Sequence, residues 1–261
     1  MTRRTGLYIL VGLSVAAIAA VFVIPPIPQS QEYHNFADQR RMFGMPSCLN
    51  VISNLPFLLV GTLGLSFLLR PHAPDARGQL IEPRERWPYV VFFAGVALTG
   101  IGSAYYHLAP GNDRLVWDRL PMTLAFMSFL AATIAERISV PGGLRMLWPL
   151  LAIGAGSVFY WQFTELRGAG DLRPYLVVQF YPMLAIPLMV ALCPARYTRG
   201  ADVFAILGFY FVAKVFELLD AAMFNLARVV SGHTLKHLAA SASTYWLLRM
   251  LKLRLSATRT P

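Results

Sequence analysis

A chain of 261 residues that is 56% hydrophobic and 14% charged, with mean hydropathy +0.53, has no stretch long or polar enough to form a water-soluble domain. Its net charge of +10 lies on the flanks of apolar runs, where membrane proteins carry Lys and Arg, which excludes a nucleic-acid surface as its source. The composition predicts an all-α, polytopic transmembrane helical bundle.

Eight apolar runs come close to or exceed the roughly 20 residues a helix needs to cross a hydrocarbon core of about 30 Å. In chain order they cover residues 7–24, 49–69, 88–108, 116–135, 146–163, 175–193, 202–224 and 233–251. The first follows the basic MTRRTG, but VFVIPPIPQSQ contains no small-x-small cleavage site, so a retained helix is expected. Residues 1–30 then form an amino-terminal transmembrane helix with a short tail, and residues 31–261 the main membrane domain. Polar or Pro/Gly/Arg-rich stretches such as RGAGDLRP read as loops.

Loop charge sets the expected orientation. Arg3, Arg4, Arg70, Arg77, Arg84, Arg86, Arg137, Arg145, Arg196, Arg199, Arg249, Lys252, Arg254 and Arg259 alternate correctly for one side of eight spans. The opposite side holds Arg40, Arg41, Arg114, Arg119, Arg167, Arg173 and Arg228. The richer side is cytoplasmic by the positive-inside rule, which puts both termini there.

Of five histidines, three fall near the non-cytoplasmic ends of spans. Ser103 with His107, and His233 with His237, are i, i+4 pairs and share a helical face. Asp118 opens the next span at the same depth. One intramembrane His is as readily a satisfied packing residue as a ligand, but three at one level beside a Ser and an Asp argue for a common site. Three neutral imidazoles and a water make the open tetrahedral site of catalytic zinc. Cys48 and Cys193 lie at opposite ends of different spans, so they neither pair nor close such a site.

Other polar residues take structural readings first. Lys214 and Glu217 are three apart and pair on one helical face, lowering the cost of burying both. Asn50 and Asn54 form another i, i+4 pair, read as interhelical hydrogen bonding ahead of substrate contact. Glu165 and Asp171 are expected to pair with Arg167 or Arg173. The role of Asp220 stays open between holding a ligand His N–H and meeting a substrate amine.

The stretch GSAYYHLAPGNDRLVWDRLPM resembles the alkaline ceramidase signature, GHTLKHLAAS resembles that family's paired-His motif, and CLNVISNLPF its Asn-rich first core helix. The resemblance spreads over most of residues 50–251 and implies a seven-helix core plus one extra amino-terminal helix. It implies zinc ligands at His107, His233 and His237, a base at Asp118, and a hydroxyl at Ser103 that bonds water or the developing oxyanion. The implied partner is a ceramide-like lipid in the bilayer, cleaved at its amide to a fatty acid and a long-chain base. Asp220 also resembles an Asp of the corresponding helix. The family's acidic calcium cluster is not matched: three residues before Asn50 stands Ser47, and Asp38, beside Arg40 and Arg41, is expected to pair with one of these arginines, which argues against a calcium requirement. Receptor-type or other hydrolytic members of the wider superfamily, and a proton or ion pathway through Lys214, Glu217, Asp220 and the histidines, are the alternatives.

Overall fold

The computed structural model describes residues 3–70 and 79–257. Arg77 and Arg259, counted above among the loop charges, lie outside these residues. The described chain is helical, with no strand beyond two isolated bridges. Its helices are α1 (Arg3–Val23), α2 (Cys48–Ile52), α3 (Leu55–Leu69), α4 (Arg86–Leu108), α5 (Asn112–Arg137), α6 (Val140–Leu166), α7 (Arg173–Leu192), α8 (Asp202–Leu218), α9 (Asp220–Ala227) and α10 (Gly232–Leu253).

Among the described residues, five segments are long and apolar enough to cross a membrane: Cys48–Leu69, Pro83–Leu108, Asn112–Arg137, Val140–Leu166 and Arg173–Leu192. They agree with five of the eight expected spans and support an integral membrane protein. Large apolar side chains such as Ile101, Phe159, Phe204 and Phe211 point outward from the bundle, as they do where lipid is the solvent. The expected span 202–224 is interrupted. Leu219 separates α8 from α9, and Asp220 opens the second helix with its carboxylate turned toward backbone amides.

The most buried span is α5, which packs against α4, α6 and α7. Its approach to α4 has a local cause. Pro121 lacks the N–H that would reach the carbonyl of Trp117 one turn back, and Gly102 of α4 sits against that carbonyl. A Cβ at Gly102 would fall 1.9 Å from Trp117 O, so only glycine lets the two backbones meet there. The next residue of α4 is Ser103, and His107 follows one turn after it.

Two arginines counted as loop charges belong to the interior. Arg119 is buried in α5, and Arg254 is buried at the end of α10, where it is ion-paired with Glu136 near Tyr89 and Tyr197. A planar guanidinium that stacks on rings and finds a carboxylate is tolerated inside a bundle, whereas hydropathy alone assigns it to water. One residue leaves each charge set, so the loop asymmetry keeps its direction. The amino-terminal α1 lies on α7, with the Ser14 and Tyr181 hydroxyls 2.5 Å apart.

Candidate metal centre

The start of α10 is fixed by short-range contacts. The Ser231 side chain accepts from Thr234 N–H at 3.2 Å and caps the helix. At Gly232 a Cβ would come within 2.3 Å of Phe216 O and 2.7 Å of Asp220 Cα, so glycine allows α10 to begin directly on the α8–α9 junction. Asp220 Oδ1 then accepts from His233 N–H at 2.7 Å. These contacts set the rotation of the first two turns of α10, and with it the direction of His233 and His237.

His107 from the last turn of α4 meets that pair. Ligand nitrogens of His107, His233 and His237 all lie within 4.8 Å of one another, and the three side chains are buried. The Nε2 atoms of His107 and His233 are 3.2 Å apart. Ligands held at about 2.0–2.1 Å around a tetrahedral ion stand roughly 3.3 Å from each other, so the spacing suits a metal. Nδ1 of His237 is 2.8 Å from Ser53 Oγ, the kind of contact that orients a ligating imidazole. Buried His107 Nδ1 has no hydrogen-bond partner among the described residues. A group of three histidines able to hold a metal ion is therefore present.

Beside this group opens a cavity of about 270 Å³. Ser103, Asp118 and His237 line its polar end, and the Ser103 hydroxyl faces the Asp118 carboxylate. Phe92, Val96, Phe126, Phe129 and Ile206 line its apolar part. The cavity is thus apolar over most of its wall, with a carboxylate, a hydroxyl and an imidazole beside the histidine group and the charged Arg119, Lys214, Glu217 and Lys236 also in its lining.

A strap formed by residues 25–47 crosses this end of the bundle. Phe36 lies over the histidines, its ring centroid 4.6 Å from His107 and 4.4 Å from His233. Ala37 N–H bonds the second oxygen of Asp220 at 2.9 Å. His34 bridges Tyr106 and Asn112 at 2.7 and 2.9 Å. Asp38 receives two hydrogen bonds from the Arg40 guanidinium, at 2.8 and 2.7 Å, and Arg40 also reaches the carbonyls of Arg228 and Val229. The Arg40 guanidinium holds the Asp38 carboxyl below its ordinary range. Its contribution to the strap is present above about pH 4 and is lost as pH falls through the lowered value.

The sequence-derived candidates separate into two groups. His107, His233, His237, Ser103 and Asp118 come together at one end of the bundle. Asp220 does not touch a ligand ring; both its oxygens bind backbone amides, which makes it the anchor between strap and α10. Asn50 accepts from Thr234 Oγ1 at 2.9 Å and donates to Asp38 O at 3.2 Å, the interhelical role expected for it. Asn54 donates to Asn50 O at 2.7 Å where α2 gives way to α3. Lys214 pairs with Glu217, and Asp38 with Arg40, as read from the sequence. Asp171 likewise takes Arg173, whereas Glu165 accepts from Gln29 N–H and from Trp161 and leaves Arg167 stacked on Phe163.

Phe36, Lys236, Arg119 and Tyr33 surround the site without having been singled out by sequence. Only Lys236 gave a signal, standing inside GHTLKHLAAS between the two histidines. Comparison of the chain with family models, curated proteins and solved structures finds no match.

Replacing His107, His233 or His237 singly by Ala is expected to remove most bound metal, because capture by three ligands depends on each. Elemental analysis of the purified variants measures this. Full occupancy in any one of them would take that residue out of the centre.

Proposed function

We propose that this chain hydrolyses the amide bond of a ceramide-like lipid within the bilayer, with zinc held by His107, His233 and His237. The observation that carries the reading is the junction of the three histidines with the Ser103 and Asp118 head of an apolar cavity. The resemblance of GSAYYHLAPGNDRLVWDRLPM and GHTLKHLAAS to alkaline ceramidases supports the same reading. Neutral nitrogen ligands suit zinc, and when bound it supplies a Lewis acid that makes water easier to deprotonate.

The chain's own residues divide the remaining work. The fatty acyl chain lies along Phe92, Val96 and Phe129, which brings its carbonyl to the polar head. Asp118 takes a proton from the attacking water and returns one to the departing nitrogen, so that the C–N bond breaks as a C–O bond forms. Ser103 donates a hydrogen bond to the oxygen on which negative charge grows. Phe36 and the strap keep bulk water from the centre. A conducting role for Lys214 and Glu217 is disfavoured, because Glu217 is tied to both Lys214 and Lys236.

Asp118→Asn keeps size and polarity but removes the basic carboxylate, so bound zinc should persist while turnover falls roughly 10²–10⁴-fold. Ser103→Ala should cost roughly 10²–10³-fold in kcat, the scale of one lost oxyanion donor. Fatty-acid release from a ceramide panel, paired with zinc content, reads both. Near-normal turnover in Asp118→Asn would assign the base elsewhere.

The Lys/Arg asymmetry of the loops further supports cytoplasmic termini and a centre on the opposite face. A cysteine at Asp113, in a background lacking Cys48 and Cys193, should react in intact cells with an impermeant thiol reagent. One at exposed Arg84 should react only after the membrane is opened. The reverse pattern would invert the orientation.

A further inference from the structure

The wall of the cavity carries more positive than negative charge. Arg119, Lys214 and Lys236 line it together with only two carboxylates, Asp118 and Glu217. Glu217 serves both lysines, lying 2.6 Å from Lys236 Nζ and in contact with Lys214, and it also accepts from Tyr33 Oη at 3.2 Å. Arg119 makes no ion pair among the described residues. Its Nη2 donates to Gln29 Oε1 at 2.5 Å, and its guanidinium carbon lies 4.3, 4.7 and 5.6 Å from the ring centroids of Trp161, Tyr175 and Tyr33. Its Nη1 is buried with no partner among the described residues, on a side chain only 5% exposed. Glu165, the nearby carboxylate on α6, is occupied by Gln29 N–H and Trp161 Nε1.

An always-charged guanidinium with an unused donor is costly inside a bundle unless an anion meets it. A cation at the histidines would only add to the excess. The aromatic rings hold the guanidinium in place, and Arg119 belongs to the cavity lining with one donor unused, which makes it the cation there that a substrate carboxylate can meet. A neutral ceramide offers this donor only uncharged hydroxyl and carbonyl oxygens, which accept hydrogen bonds but do not balance the charge.

We propose that the cavity selects an N-acyl lipid whose amine half carries a carboxylate, an N-acyl amino acid, with Arg119 as the residue that receives the anion. This keeps the amide hydrolysis of the reading above, on which it rests, and replaces the long-chain base of a ceramide by an amino acid. With R′ the alkyl chain, the reaction balances as R′–CO–NH–CHR–COO⁻ plus water giving R′–COO⁻ and ⁺H₃N–CHR–COO⁻. The amide C–N bond breaks, a C–O bond forms at the carbonyl carbon, and both protons of the water end on the amine nitrogen. Lys236 and Lys214 keep Glu217 neutralised, so that this carboxylate does not repel the substrate's own.

Binding to the zinc-loaded full chain in non-ionic detergent, read on mixing before product accumulates, tests the site separately from catalysis. The probes are a long-chain N-acylglycine, its methyl ester, the parent fatty acid and a ceramide of the same chain, with fluorescence of Trp161 against Arg119 as one readout. The acylglycine should bind on the order of ten- to a hundredfold more tightly than the methyl ester, the scale of hydrogen bonds to a charged partner. Arg119→Gln should bring that ratio close to one, and Arg119→Lys should retain part of it. Equal binding of acylglycine and methyl ester by the unmodified protein would overturn the proposal even if every Arg119 variant failed to fold. Fatty acid binding as tightly as acylglycine, with the same Arg119 dependence, would overturn it in favour of a product site. Charge-selective binding with no amide cleaved would uphold the carboxylate site and remove the hydrolase reading, whereas ceramide cleavage without charge selectivity would do the opposite.

Discussion

The contact on which the histidine end depends is the meeting of Gly102 with the Trp117 carbonyl. Pro121 leaves that carbonyl without its usual helical donor, and the absence of a Cβ at Gly102 lets α4 lie on it. The backbones of α4 and α5 are thereby locked in register where one carries Ser103 and His107 and the other Asp118 and Arg119. A wider helix separation here would part the hydroxyl and carboxylate that head the cavity. In a bilayer, where apolar surfaces gain little from meeting each other, such close backbone packing is what holds helices together.

A second lock acts from the other side. Asp220 binds the amides of His233 and Ala37 at once, so a single carboxylate orients α10 and pins the strap that covers the histidines. The break between α8 and α9 is what frees Asp220 for this. The strap is held at several further points, through His34, Arg40 and Gln29, each a polar group satisfied by the bundle. Access of a lipid to the cavity is therefore expected through its apolar side, between helices, and not across the strap.

Much of this was legible in the sequence because helical spacing converts directly into geometry. His233 and His237 had to share a face, and Ser103 had to share one with His107. The interruption at Leu219 was not legible, since no Pro or Gly marks it in AKVFELLDAAMF and the Gly232 backbone that packs against the junction comes from further along the chain. Arg119 and Arg254 were misassigned to loops because hydropathy treats a guanidinium as solvated, although rings and a carboxylate can take its place. The strap has no periodicity, so Phe36 gave no signal. Lys236 near a helix end is ordinarily read as snorkelling to the interface, and only the fold turns it toward the cavity.

The central claim is that a metal at the three histidines enables amide hydrolysis at the head of the cavity. The most direct measurement is fatty-acid release by purified protein before chelation, after chelation, and after zinc is returned, on a panel of N-acyl lipids with metal content followed in parallel. The account predicts stoichiometric zinc in active protein, loss of release on its removal and recovery on its return. Undiminished release by metal-free protein, or no release from any N-acyl lipid by fully loaded protein, would contradict it.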